Sequence, residues 1–262
     1  MSKGKYYFSK SLEKGLKILS LFNGETPAIT QTEIARKLKL NMTSTYRYIN
    51  TLVEMGYLEK DTKTREIRPS ILCTLFCTNL MRATDHIRLI KAVVDRIHGE
   101  HNISIDVVFA FDDTMVRIYN RTAEETLTYS MPDSSHNCLH NTALGKAYLS
   151  SLPDDEIVEK IDSMALVPKT ENTIVNKADL LTELKKIKER QFSMNIEEFL
   201  PGLIAIGAPL YDPISGKGVG AVCFDFSVIQ HSAGEIRTKY GEMIKETARS
   251  LSELLPPDKK SR

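Results

Sequence analysis

His136, Cys138 and His140 alternate within five residues, a donor set of the kind that can hold a transition metal. Alternate residues of an extended segment split between two faces, so a further ligand would have to come from elsewhere. The competing reading leaves His136 in solvent and has His140 cap or orient a loop. Cys73 and Cys77 stand four apart on one helix face. There, burial in a packing contact competes with metal or redox sensing. Four cysteines are too few for a disulfide scaffold, and a reducing cytoplasm is the expected compartment. Lys146 has no electrophile site beside it and is expected at the surface or anchoring a loop. Gly216-Lys217-Gly218-Val219-Gly220 falls in a hairpin loop rather than between a strand and a helix, so it is no nucleotide fingerprint. Neither a G-x-S-x-G elbow nor a P-loop occurs. No catalytic residue, metal or cofactor is therefore expected, and the chemistry that remains is recognition.

Charge divides the chain. Residues 1–80 hold 13 Lys and Arg against 7 Asp and Glu, and the remainder holds 22 against 27. A basic head on an acidic body suits a head that meets a polyanion. Within it, MTSTYRYINTLVEMGYL repeats Thr45, Ile49 and Leu52 on one helical face, which leaves Thr43, Ser44, Tyr46, Arg47 and Asn50 pointing outward. These side chains can donate to phosphates and base edges. Lys60, Lys63, Arg65 and Arg68 follow on a charged hairpin, placed to track a phosphate backbone.

The elements that would position these groups follow from periodicity. Leu12, Leu16 and Leu19 mark a first helix over 11–22. Thr30 and Glu33 have capping-box spacing ahead of Ile34, Ala35 and Leu38. Lys39-Leu40-Asn41 turns into the outward-facing helix, and Gly56 ends it. Two short helices, a tight turn and a charged hairpin make a winged helix-turn-helix. Residues 70–98 read as a helix continuing into a second domain. Strands are expected at 103–111, 114–120, 125–131, 192–197, 202–211 and 218–227, and helices at 141–151, 154–163, 177–190 and 233–255. The fold class is α+β. The expected parts are a winged helix-turn-helix over 1–70, a linker helix over 71–84, an α+β body with a mostly antiparallel sheet over 85–257, and a tail over 258–262. No apolar run reaches membrane-spanning length, and the basic N-terminus lacks the apolar stretch of a signal peptide.

Several segments, in order, resemble the IclR family of bacterial transcriptional regulators. They are SLEKGLKILSLF, TEIARKLKL, TSTYRYINTLVEMGYLEKD, HNTALGKAYLSSLP, IEEFLPGLIAIGAPL and GAVCFDF, together spanning about residues 11–255. IRPSILCTLF is similar to members that regulate aromatic-acid catabolism. The resemblance implies a GAF/PAS-like effector-binding domain with a curved sheet, and homodimers or dimers of dimers on palindromic double-stranded DNA operators. It also implies an effector pocket, which maps to Ala143, Leu144, Asn195, Ala205, Cys223 and Asp225. This chain departs from the family pattern. Asn195 stands where aspartate is frequent, Cys223 and Asp225 where serines are, Cys138 where proline is and Ser134 where glycine is.

Cys223 and Asp225 are two apart on a strand and share a face with Ala221, while Val222 and Phe224 point the other way. A buried Asp225 needs a donor, either from backbone in a structural role or from a ligand hydroxyl, amine or cation. Cys223 reads as a pocket residue or as a small apolar filler. The implied function is a regulator whose second domain binds a small organic acid, carboxylic or aromatic, and alters operator binding. The alternatives are an enzyme acting on a small acid with the head as a dimerisation module, and an architectural DNA-binding protein without effector.

Overall fold

Ser9 opens the first helix by accepting from the Leu12 N–H at 3.3 Å, and α1 runs Lys10–Leu19. The computed structural model describes residues 8–23, 26–111, 114–124, 134–136 and 139–256, with backbone alone at 134–136. The chain divides after Thr84 into two units.

In the first unit, β1 (Ile29–Thr30) leads directly into α2 (Gln31–Lys37) through the expected capping box of Thr30 and Glu33. Lys39 turns the chain with a φ of 51°, and α3 (Met42–Glu54) follows. Asn41, read from sequence only as part of a turn, is the α3 N-cap, accepting from the Ser44 N–H at 2.7 Å. Gly56 takes a φ of 80°, which ends α3 as expected. Strands β2 (Leu58–Lys60) and β3 (Glu66–Pro69) form the wing, and β1 pairs with β3 to complete a three-stranded sheet. A two-residue strand carries no periodicity, so β1 was not legible in sequence. Ile18, Ile34, Ile49, Leu58 and Ile67 form the core.

The single helix expected over 70–98 is two. α4 (Ile71–Arg82) stops at Ala83, and α5 (Asp85–His101) begins two residues later. At the break the Thr84 hydroxyl bonds back to Leu80 O at 2.9 Å, a local bond that competes with helix continuation.

The second unit is built on a six-stranded antiparallel sheet in the order β6-β5-β4-β9-β8-β7. Its strands are β4 (Ser104–Phe111), β5 (Thr114–Arg121), β6 (Ser134–His136), β7 (Ser193–Ile196), β8 (Leu203–Tyr211) and β9 (Gly218–Ser227). The strand expected over 125–131 lies outside the described residues. Helices α6 (Ala143–Ser150), α7 (Asp154–Ser163) and α8 (Lys177–Arg190) share one apolar cluster with Ala221 and Cys223 of β9. Val222, Phe224 and Phe226 instead join α5 and α9 (Ala233–Glu253) in another. The alternation of β9 thus sends small and polar side chains toward α6 and large apolar ones toward α5 and α9. Among the described residues, no helix is long and apolar enough to cross a membrane.

Candidate functional site

The first candidate site is the outer face of α3 with the wing. Thr45 and Ile49 are fully buried and Leu52 partly so, which fixes the helix rotation. Thr43, Tyr46 and Arg47 are exposed, and Ser44 and Asn50 are half-buried on the same side. Lys63 and Arg65 sit exposed in the wing turn. That turn is held by Asp61, whose carboxylate accepts the Lys63 and Thr64 N–H groups at 2.7 and 2.8 Å. These bonds keep the Asp61 carboxyl below its ordinary pKa. Lys60 is half-buried, its ammonium 5.9 Å from the centre of the Tyr46 ring, which ties the wing to the helix face. Arg68 is paired with Glu59 at 3.1 Å. Among the described residues Arg47, Lys63 and Arg65 have no ion-pair partner, so their charge faces outward.

The second candidate site lies in the other unit. Ala143, Leu144, Asn195, Ala205, Cys223 and Asp225 line one cavity, with Asp106, Thr142, Phe199 and Leu203. Pairing register brings them together: Asn195 lies opposite Ala205, Ala205 opposite Asp225, and Cys223 opposite Asp106. The N-terminus of α6 closes over this face. Ser193 Oγ donates to Ala143 O at 2.7 Å, and a Cβ on Gly207 would come within 3.2 Å of that same carbonyl. Glycine at this position leaves the helix end room to approach this closely. The cavity holds only about 10 Å³, near the room one water needs and far below the size of an ordinary ligand pocket.

Asn195 spends its amide on the cavity's own walls. Its Nδ2 donates to Asn141 O at 2.5 Å, and its Oδ1 accepts from the Glu198 N–H at 3.1 Å. It therefore fastens the loop before α6 to the loop over 197–202. Lys146 overturns the surface reading but keeps the anchoring one. It is 1% exposed, and its ammonium donates to Met194 O at 2.8 Å and to Glu198 Oε1 at 2.5 Å. Thr170 and Thr173 hydroxyls bond Glu197 O and Glu198 O, each at 2.6 Å, from the far side of the same loop. Burial raises the Glu198 carboxyl above its ordinary pKa, against the attraction of Lys146.

His140 is buried, with Nε2 at 3.1 Å from Val167 O, and burial lowers its pKa. That places it in the loop-orienting role. The Cys138 position and the His136 side chain lie outside the described residues. Cys73 is half-buried with Sγ at 3.1 Å from Tyr57 O, whereas Cys77 is exposed.

Asp106, Thr142, Phe199 and Leu203 are cavity residues that the sequence reading missed, and Asp106 is the charged one. A lone carboxylate in the apolar run ISIDVVFAF, two residues before Val108, was the available signal. Asp106 Oδ1 pairs with Arg117 Nε of β5 at 2.7 Å. Asp106, Cys223 and Asp225 bring one ligand atom each within 4.8 Å of one another.

A winged helix-turn-helix with outward cations, in one chain with an α+β unit, defines a DNA-binding transcriptional regulator. Residues 11–62 match the IclR helix-turn-helix domain, and residues 78–253 match the C-terminal domain of the bacterial transcriptional regulator IclR. The chain belongs to the IclR family. Similar curated proteins include the HTH-type transcriptional regulator BhcR of Paracoccus denitrificans, 23% identical over 250 residues, covering 95% of this chain and 88% of that one. KdgR of Escherichia coli is 24% identical over 247 residues, covering 92% of each. An IclR transcriptional regulator from Alicyclobacillus acidocaldarius superposes with a TM-score of 0.78 at 17% identity, covering 95% of this chain and 99% of that one. An IclR homolog from Microbacterium hydrocarbonoxydans, solved with 4-hydroxybenzoate, gives 0.70 at 16%, covering 94% and 98%. The relatives are regulators rather than enzymes, so the enzymatic alternative is set aside.

Proposed function

We propose that the second unit binds a small organic acid in the cavity between α6 and β9, and that occupancy changes the affinity of a homodimer for a palindromic operator. The observation that carries this reading is the convergence of six residues from four elements, Ala143 and Leu144 of α6, Asn195 of β7, Ala205 of β8, and Cys223 and Asp225 of β9, on one cavity. The structure of a homolog with 4-hydroxybenzoate supports an acid as the ligand class. A cavity of about 10 Å³ cannot take such a molecule unless its walls move. Entry must therefore displace the loop before α6 or the loop over 197–202, and Asn195 links the two. A ligand that binds only the opened arrangement shifts the population toward it, which is the differential contact that regulation requires.

In the first unit, α1, α3 and α4 leave an apolar groove of about 480 Å³ lined by Leu12, Leu16, Tyr48, Leu52 and Phe76 among others. Leu12 is 64% exposed, Leu16 54% and Phe76 44%. Exposed apolar surface of this extent suits an isologous contact with the same face of a second copy. Operator binding measured with and without a panel of small acids, alongside a thermal-shift screen of the same panel, tests the function. Ligand-dependent operator affinity is expected for at least one acid that also raises the melting temperature. Operator affinity indifferent to every acid that stabilises the protein would refute it.

A further inference from the structure

The cavity poses an electrostatic problem for any acid. Two aspartates, Asp106 and Asp225, stand in its wall, and an anionic ligand would bring a third negative charge. Arg117 is engaged by Asp106 at 2.7 Å. One carboxylate oxygen of Asp106 and one of Asp225 stand within 4.8 Å of each other. Two carboxylates this close in a cavity wall resist carrying charge together. Cys223 Sγ lies 3.4 Å from Asp225 Oδ1, where the thiol donates. The groups that titrate and face Asp225 are Asp106 on β4, Arg117 on β5 and Cys223 on β9. The α6 end and strands β7 and β8 contribute Thr142, Ala143, Leu144, Asn195 and Ala205, none of which titrates. Lys146 of α6 is turned to Met194 O and Glu198 instead.

We propose that of the pair Asp106 and Asp225 one carboxyl is protonated and the other ionised, so that the cavity meets a ligand's carboxylate with a carboxyl O–H donor rather than with two negative charges. Arg117 fixes the charge on Asp106, which leaves the proton on Asp225. Removal from water, and then the Asp106 charge, push the Asp225 carboxyl up to about 8. The same surroundings push the Cys223 thiol well above its ordinary range and keep it a donor. Asp225 is then the residue that selects an acid over an amine, and it gives that choice a pH sign. This rests on the reading that the cavity is the effector site. Affinity for an acid that is ionised throughout should be flat from pH 6 to about 7.5 and fall roughly tenfold per unit above about 8. Affinity for an amine or a metal cation would rise instead.

Infrared difference spectra of the ligand-free full chain test the dyad directly, comparing wild type with Asp225→Asn. A protonated-carboxyl C=O band present at pH 7, lost near pH 8 and absent from the variant, is the expected result. In Asp106→Asn the same band should titrate at lower pH, because the neighbouring charge is gone. That shift carries the test if Asp225→Asn does not fold. No such band in wild type at pH 7, or an unmoved midpoint in Asp106→Asn, overturns the proposal. So does stoichiometric zinc uptake at pH 7 by wild type but not by either variant. A titrating band in a protein that binds none of the acids overturns the effector reading and leaves the dyad standing. An acid response without the band overturns the dyad alone.

Discussion

Replacing Lys146 with Met should damage the second unit far more than an average substitution. The side chain is 1% exposed and its ammonium satisfies Met194 O and Glu198 Oε1. Met keeps most of the volume, so the cavity cost is small. The cost lies in Glu198, which is left buried without its counter-charge. Breaking a buried pair from one side typically costs about 3–5 kcal/mol. For a unit of this size that is a fall in melting temperature of about 10 °C. The penalty has a pH signature. Burial already raises the Glu198 carboxyl above 4.5, so its contribution to stability falls as pH climbs from the unfolded value through the raised one. Removing Lys146 removes a lowering influence, so the carboxyl rises further. The variant should therefore recover part of its loss as pH falls through the raised Glu198 pKa, where the carboxyl takes a proton. Lys146→Met with Glu198→Leu should return most of the lost stability, since an apolar pair of similar size leaves no charge behind. Urea melts of the full chain, followed by a probe in the second unit, measure all three. A single-variant loss under about 1 kcal/mol, or a double variant worse than the single, would refute the argument that a paired buried charge holds the 197–202 loop.

Arg47→Ala should weaken operator binding by about 1–3 kcal/mol and relax preference at one base position. Lys63→Ala should weaken it evenly across sequences and lower the salt slope by roughly one unit; salt-controlled anisotropy titrations read both. Asp225→Ala should leave operator affinity without acid near wild type and remove the acid response; a normal response in a folded variant would mean the ligand lies elsewhere. Leu16→Glu places a charge in the apolar groove and should halve the molar mass seen by light scattering at micromolar concentration. An unchanged mass would remove the α1 face from the subunit contact.

The sequence by itself determined most of the elements and their faces. Capping at Thr30 and Glu33, the Thr45 and Ile49 stripe, the Gly56 stop and the alternation of β9 are local chemistry, written within four residues of each other. That was enough to orient the α3 face and to set Cys223 and Asp225 on one side of a strand. The family resemblance, not periodicity, placed Asn195 and Ala143 beside them. Tertiary structure alone decided what those residues are bonded to. Asn195 looked like a ligand donor, yet it joins two loops, because pairing with β8 sets it beside the chain before α6. Lys146 looked solvated, yet it is buried, because its counter-charge arrives from 52 residues away. Asp106 entered the cavity only through strand register, 117 positions before Cys223 in the chain but directly opposite it in the sheet. Periodicity reports which way a side chain points; only the assembled sheet reports what it meets there, and the energy of a buried charge depends on what it meets.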